Sequence, residues 1–326
     1  MQYTRLGSSG LKVSRIALGC MSFGQPALQG TWTLDYEASE PILKQALDLG
    51  INFWDTANVY GYGTSEEIIR RALAKFARRD DIVLATKLRF PMHDGPGGGG
   101  LSRKAVMEQI DASLRRLGTD YVDLYQIHRF DPDTPIEETM EALHDVVKAG
   151  KVRYIGACSM WAWQFSKMQY VARLNGWTRF VSMQHQYNLV HREEEREMFG
   201  LIADQGVGSM PWSPLAAGLV ARPWGEISTT RGKENPAKDM SDRPLYLESD
   251  KAIVDAVEKI AAGRGVSMAT VAMAWVMNNP FVTSPIIGAT KSKHLTDAVA
   301  ALDLKLTAEE IAALEQPYAP RLPTYF

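Results

Sequence analysis

Cysteine is nearly absent from this chain: 326 residues contain two, Cys20 and Cys158, far apart and each in an apolar stretch. A disulfide framework or thiolate metal site needs more sulfur at closer spacing, so both read as buried thiols. Neither sign of charge is in excess, with 36 Lys and Arg against 38 Asp and Glu for a net charge of -2. No basic stripe of the kind nucleic acid requires is visible, and nucleic acid is not an expected partner. No apolar run reaches membrane-spanning length. The opening Met1-Gln-Tyr-Thr-Arg-Leu lacks the charged start and long apolar core of a secretory signal, so a cytosolic protein without a membrane partner is expected. His93, His144, His185, His191 and His294 lack the pairwise spacing of a metal site on one helix, and no metal is expected. Gly61-Tyr-Gly63 has neither a third glycine in register nor a following βαβ unit with an acidic ribose ligand, so a Rossmann site is unsupported.

What is present is a rhythm. After Tyr3 to Leu6, a Gly-Ser-Ser-Gly turn and Leu11 to Val13, which together predict a β-hairpin, short apolar runs alternate with amphipathic helices. The strands are expected at Ile16 to Leu18, Ile51 to Asp55, Ile82 to Lys87, Val122 to His128, Val152 to Ala157, Val181 to Gln184, Val207 to Trp212 and Ser284 to Ile287. Helices are expected at about Ser39 to Leu49, Ser65 to Phe76, Ser102 to Leu117, Pro135 to Ala149, Trp163 to Leu174 and Glu193 to Gln205. Such alternation predicts an α/β fold in which a parallel sheet closes into a (β/α)8 TIM barrel, one domain over residues 1–326, with function at the carboxyl ends of the strands. No sequence repeat accompanies the structural one. Long rim loops interrupt the rhythm twice. Phe90 to Gly100, with Gly95-Pro-Gly-Gly-Gly-Gly100, lies between a strand and its helix and reads as a mobile substrate loop; no Walker lysine follows to make it a phosphate cradle. About Gly218 to Glu248 carries Arg222, Arg231, Lys233, Lys238 and Arg243 and reads as a lid whose basic residues face a cofactor's phosphates, or as a solvated insertion.

Three consecutive strands end on chemistry. Ile51-Asn-Phe-Trp-Asp55 stops at a carboxylate with Tyr60 five positions on, Ile82 to Lys87 stops at a lysine, and Val122 to His128 stops at a histidine. Any one of these alone is ordinary packing; at barrel-strand ends they share one open mouth. The set suits carbonyl reduction, in which hydride reaches carbon while a positioned acid gives a proton to oxygen. A phenol titrates near 10, and an adjacent Lys87 ammonium favours phenolate and lowers that value. Asp55 holds Lys87 charged and aimed, and neutral His128 orients the carbonyl oxygen.

Asp55, Tyr60, Lys87 and His128, in this order and spacing, resemble the catalytic tetrad of the aldo-keto reductases. Gly19-Cys-Met-Ser-Phe-Gly24, Asp55-Thr-Ala57 and Pro211-Trp-Ser-Pro-Leu215 are similar to a bacterial branch that includes an enzyme associated with 1-deoxyxylulose 5-phosphate and is related to potassium-channel β-subunits. The resemblance implies the barrel, a hairpin plugging its base, reduction of aldehydes or ketones with a possible sugar-phosphate connection, and extended NADPH across the mouth. It further implies that Ser159 and Gln184 bind the carboxamide, that Trp212 stacks on the nicotinamide, and that Ser213, Leu215 and Gly218 hold the pyrophosphate. Gly288, Thr290, Lys291, His294 and Asp297 are implied for the adenosine phosphate, the last two standing where glutamine and glutamate are common. Lys291, at a helix start, is expected to select NADPH over NADH. Two other classes compete. A cofactor-binding sensor like the channel β-subunits, with slow turnover, needs an exposed docking face that no pattern announces. A glycosidase barrel needs a companion carboxylate that Asp55 lacks.

Overall fold

A computed structural model describes residues 1–226 and 246–323. The hairpin forms as expected from β1 (Tyr3–Arg5) and β2 (Lys12–Ser14), paired antiparallel with Thr4 opposite Val13. Eight parallel strands follow: β3 (Ala17–Gly19), β4 (Phe53–Asp55), β5 (Val83–Leu88), β6 (Val122–Ile127), β7 (Val152–Cys158), β8 (Phe180–Gln184), β9 (Gly208–Ser209) and β10 (Ile286–Gly288). Their order in the sheet is β10-β3-β4-β5-β6-β7-β8-β9. The two ends meet, since Ile286 N donates to Pro211 O at 2.8 Å and Thr283 N to Ser209 O at 3.0 Å. The chain is a (β/α)8 barrel.

The two-residue period of a strand decides which side chains enter the barrel. Ala17, Phe53, Val83, Ala85, Leu124, Met210 and Ile286 form a fully or almost fully buried inner cluster, which Leu6 and Val13 of the hairpin segment join. The hairpin therefore closes the base. Gly7, between its strands, has φ +58° and no room for a Cβ, which would lie 2.5 Å from Gly206 O; glycine alone allows so close an approach. Residues of the opposite parity, such as Leu18, Trp54, Leu84, Tyr125, Ile155 and Met183, face outward into the larger core under the helices.

Of those helices α1 (Pro26–Gln29) was not expected, whereas α2 (Tyr36–Asp48), α3 (Thr64–Lys75), α4 (Arg103–Leu117), α5 (Ile136–Lys148) and α6 (Ala162–Leu174) sit close to their expected bounds; α7 (Met198–Asp204) follows, with Lys251–Arg264, Met268–Asn278, Ser292–Ala300 and Ala308–Glu315 completing the described set. Three expectations need correction. Helix α2 starts three residues early because Asp35 caps it, accepting from Ala38 N at 2.9 Å, so that Pro41 stands inside the helix. The helix expected over Glu193 to Gln205 divides into a 3-10 turn at Glu193–Glu195 and α7. The strand expected over Val207 to Trp212 keeps only two ladder residues, since Pro211 has no N–H to offer. Met210 N and Trp212 N still reach Met183 O and His185 O, both at 2.8 Å. Among the described residues no single helix is long and apolar enough to cross a membrane.

Candidate active site

The interior parity that places Phe53, Ala85 and Leu124 in the core places the residues two positions later at the carboxyl mouth: Asp55, Lys87 and Gln126, then His128. Lys87 is fully buried and Asp55 nearly so. The ammonium spends its three donors on Asp55 Oδ2 at 2.5 Å, Thr56 O at 2.8 Å and Tyr60 Oη at 3.3 Å. Asp55 Oδ1 accepts from Gln126 Nε2 at 2.9 Å and from Gln184 Nε2 at 3.0 Å. A buried carboxylate and a buried ammonium are thus both saturated, the condition under which such a pair persists. Tyr60 opens a 3-10 turn, Tyr60–Gly63, whose Gly61 and Tyr62 take left-handed φ values of 55° and 52°. The turn brings the phenol back over the strand mouth, edge-on to His128 with ring centroids 5.7 Å apart.

The electrostatics follow from this packing. Burial works against the Lys87 charge, but Asp55, Tyr60 and Cys158 outweigh it and the net shift is upward, so the ammonium stays protonated. For Tyr60 the outcome corrects the expectation of a lowered phenol: burial raises it, Lys87 pulls it down, Asp55 pushes it up again, and the net is above the ordinary value. The hydroxyl therefore stays a proton donor at neutral pH, with a cation placed to receive the charge left behind. His128 is held well below the usual imidazole range by burial and by the charges of Lys87, Arg129 and Arg89. It is neutral. Its Nδ1 is buried without a hydrogen-bond partner, which leaves Nε2 as the ring nitrogen able to meet a ligand. Cys20 and Cys158 are buried free thiols, and burial holds the Cys158 thiol up at about 12, beyond any thiolate role near neutrality.

The residues expected around a cofactor fall into three groups. Trp212 Nε1 donates to Ser159 Oγ at 2.9 Å, which locks the indole at the mouth beside the end of β7. Gln184 turns inward, with its Nε2 committed to Asp55 and to Gln126 Oε1 at 3.1 Å; only its carbonyl is left for a ligand. Next, Ser213, Ala216, Ala217 and Gly218 all take positive φ, 54°, 49°, 50° and 95°, around the half-buried Leu215. Left-handed backbone in non-glycine residues costs energy and gathers at functional turns. A Cβ on Gly218 would lie 2.3 Å from Arg222 Nη2, so that guanidinium folds directly over the glycine. Finally, Gly288 is exposed at the end of β10, and Lys291 is the exposed residue preceding the helix Ser292–Ala300. His294 Nδ1 accepts from Thr290 N at 3.3 Å. Burial, Lys291 and Arg222 depress its imidazole while Asp297 opposes them, which puts three basic side chains in one neighbourhood. The Asp297 carboxylate is taken by Lys293 at 2.6 Å. Of the expected lid cations, Arg231, Lys233, Lys238 and Arg243 lie outside the described residues.

The glycine-rich segment is pinned rather than open. Gly100 N donates to Arg89 O at 2.8 Å and Met92 N to Gly98 O at 2.9 Å, while Asp131 accepts from Leu101 N at 2.8 Å. A Cβ on Gly98 or Gly99 would meet His93 O at 2.1 Å or Arg89 O at 2.8 Å, so the glycines allow a tight fold at the rim. Sequence reasoning missed Gln126, Arg89, Phe90 and Arg129 at this mouth. The signal for Gln126 was available: it is a polar residue at inward parity, two positions before His128, in an otherwise apolar run.

This barrel and its mouth define the class. The chain belongs to the aldo/keto reductase family, whose model matches residues 15–319. It is 47% identical, over 98% of both chains, to the versiconal hemiacetal acetate reductase of Aspergillus parasiticus. An aldo-keto reductase of Alternaria alternata is 46% identical over 98% of this chain and 92% of its own, and one from Metarhizium robertsii 44% over the same shares. These relatives are fungal, whereas the short motifs had suggested a bacterial branch. The chain is an oxidoreductase of this family, and its substrates are small carbonyl compounds.

Proposed function

We propose that this protein, working as one domain over residues 1–326, reduces aldehydes or ketones to alcohols with NADPH, Tyr60 being the proton donor. The observation that carries the reading is the buried Lys87 ammonium joining Asp55 to the Tyr60 hydroxyl at 2.5 and 3.3 Å, beside a neutral His128. When bound, the cofactor supplies the hydride. Groups suited to it are present: Ser159, Trp212 and the Gln184 side-chain carbonyl, an acceptor, for the nicotinamide, the left-handed turn at Ser213, Leu215 and Gly218 for the pyrophosphate, and Gly288, Thr290, Lys291 and His294, together with Arg222, for the adenosine phosphate. Asp297 stands with them at the adenosine-phosphate end, its carboxylate paired with Lys293 at 2.6 Å.

The chain's own residues account for the rest. His128 Nε2 hydrogen-bonds the carbonyl oxygen and aims it at the phenol. As negative charge develops on that oxygen, Tyr60 gives up its proton, and the phenolate formed is stabilised by Lys87. Asp55, with Gln126 and Gln184, holds the ammonium in place so that little reorganisation accompanies the step. The motif likeness to the deoxyxylulose-phosphate branch supports including sugar phosphates among candidate substrates, and a cytosolic setting supplies both reactants. The test is NADPH consumption with a panel of simple aldehydes, ketones and sugar phosphates. Alcohol formed in step with NADPH oxidised supports the reading, and no turnover with any member overturns it.

A further inference from the structure

Several half-buried arginines of this protein meet carboxylates, as Arg79 meets Asp123 at 2.8 Å, Arg116 meets Glu66 at 2.6 Å and Arg192 meets Glu195 at 2.8 Å, while Arg15, at the other end of the barrel, gives its guanidinium to Met277 O at 2.9 Å. Arg89 differs. It is half-buried at the catalytic mouth two residues after Lys87, pairs with no carboxylate among the described residues, and has a buried Nε with no hydrogen-bond partner. Its backbone is held at φ +124°, a conformation that side-chain-bearing residues rarely take, and the bond from Gly100 N to its carbonyl pins it there. Strain kept by surrounding structure marks a position where the side chain's aim matters. The guanidinium lies 5.5 Å from the centre of the Phe90 ring, which itself sits 4.9 Å edge-on to His128. A second guanidinium comes from the next strand: Arg129 donates to His128 O at 2.6 Å and lies 5.9 Å from the Trp212 ring centre. Both charges reach the His128 imidazole and help depress it.

Resting on the carbonyl reductase reading, we infer that Arg89 and Arg129 form a subsite for an anionic group, carboxylate or phosphate monoester, carried by the carbonyl substrate. The sheet order separates this subsite from the cofactor's phosphates. Counting round β10-β3-β4-β5-β6-β7-β8-β9, β5 stands opposite β9 and β6 opposite β10. Arg89 thus follows a strand across the mouth from the Ser213 to Gly218 turn, and Arg129 follows one across from the Gly288 to Lys291 segment while its guanidinium reaches toward Trp212. A guanidinium pairs with carboxylate or phosphate through two parallel hydrogen bonds, which fixes orientation as well as charge. Held there, the acid end would leave the carbonyl over Tyr60 and His128.

The test uses matched substrates with wild type, Arg89→Met and Arg89→Lys: 4-carboxybenzaldehyde against 4-methylbenzaldehyde, and glyceraldehyde 3-phosphate against glyceraldehyde. Wild type should favour the anionic member of at least one pair, and which pair responds separates carboxylate from phosphate. Arg89→Met should reduce that preference about ten- to hundredfold, the effect of losing one charge-assisted contact, acting on KM more than kcat, with the NADPH Kd unchanged and with partial recovery in Arg89→Lys. No preference in wild type, an unchanged ratio in Arg89→Met, or a weakened NADPH Kd would overturn the subsite. Calorimetric titration with 4-carboxybenzyl alcohol and 4-methylbenzyl alcohol reads the subsite without turnover. Arg89-dependent preference for the acid, in an enzyme that reduced no carbonyl, would support the subsite and overturn the reductase reading alone.

Discussion

Replacing Lys87 with methionine separates what the buried ion pair does for stability from what it does for chemistry. The ammonium is fully buried and serves three acceptors; methionine fills much of the volume and serves none. Asp55 Oδ2 then loses its partner, while Oδ1 keeps Gln126 and Gln184. Stranding one member of a buried pair costs about 3–5 kcal/mol. With unfolding entropy of about 2 cal/mol/K per residue, a chain this long should melt about 4–7 °C lower. Carbonyl reduction should fall at least about a hundredfold in kcat, because the phenolate left after proton transfer has no cation beside it. The double variant Lys87→Met, Asp55→Asn removes the stranded charge and should regain more than half of the lost melting temperature while staying inactive. Calorimetric scans and single-turnover reduction of an aldehyde read the two effects. A double variant no more stable than the single would refute the stranded-carboxylate account, and Lys87→Met with kcat within tenfold of wild type at neutral pH would refute the phenolate account.

Lys291→Ala should raise the NADPH Kd about ten- to hundredfold and leave that for NADH nearly unchanged, as read by fluorescence titration; an equal loss for both would move the 2′-phosphate contact elsewhere, with Arg222 the first candidate. Gly98→Ala forces a Cβ to within 2.1 Å of His93 O, so the rim loop should refold locally, raising KM across substrates while the melting temperature holds, since an exposed loop adds little to global stability; unchanged kinetics with a large melting shift would make the loop structural. Stability should peak near pH 6.5. Buried His185 and His191, lowered by burial to about 3 and about 4, and His128, lowered further than an ordinary imidazole, bind fewer protons folded than unfolded, so stability is lost as pH falls below the unfolded imidazole value. Glu194 acts oppositely: burial raises it to about 8, so its contribution is full below the unfolded carboxylate value and declines as pH rises towards 8. Glu194→Gln should remove a loss of about 2 kcal/mol between pH 6.5 and 8, and urea midpoints with the same alkaline decline in the variant would contradict this.

Much of the architecture was legible because the strands are punctuated. An apolar run that ends on Asp55, Lys87 or His128 declares both its carboxyl end and its inward parity, and the alternation with amphipathic helices leaves few folds open. Less legible was what depends on contacts distant in sequence. Two misses were local instead: Asp35 caps α2 three residues before its expected start, and Pro211 trims β9 because one missing donor outweighs an apolar run. The phenol illustrates the limit most clearly: local reasoning identified Lys87 as lowering Tyr60, yet the burial that opposes it belongs to the assembled mouth, where His128 from another strand lies edge-on to the ring. Arg89 was also unreadable, since a lysine-leucine-arginine sequence looks the same whether or not the arginine meets a carboxylate.

The central claim is that the Tyr60 hydroxyl gives its proton to a carbonyl oxygen, and Tyr60→Phe tests it most directly by removing one oxygen from an otherwise intact site. NADPH affinity and aldehyde-dependent NADPH oxidation should be measured on the same preparation of wild type and variant. The expected result is an unchanged Kd for NADPH with kcat reduced at least about a hundredfold. A variant that binds NADPH normally and reduces the aldehyde at close to the wild-type rate would contradict the account.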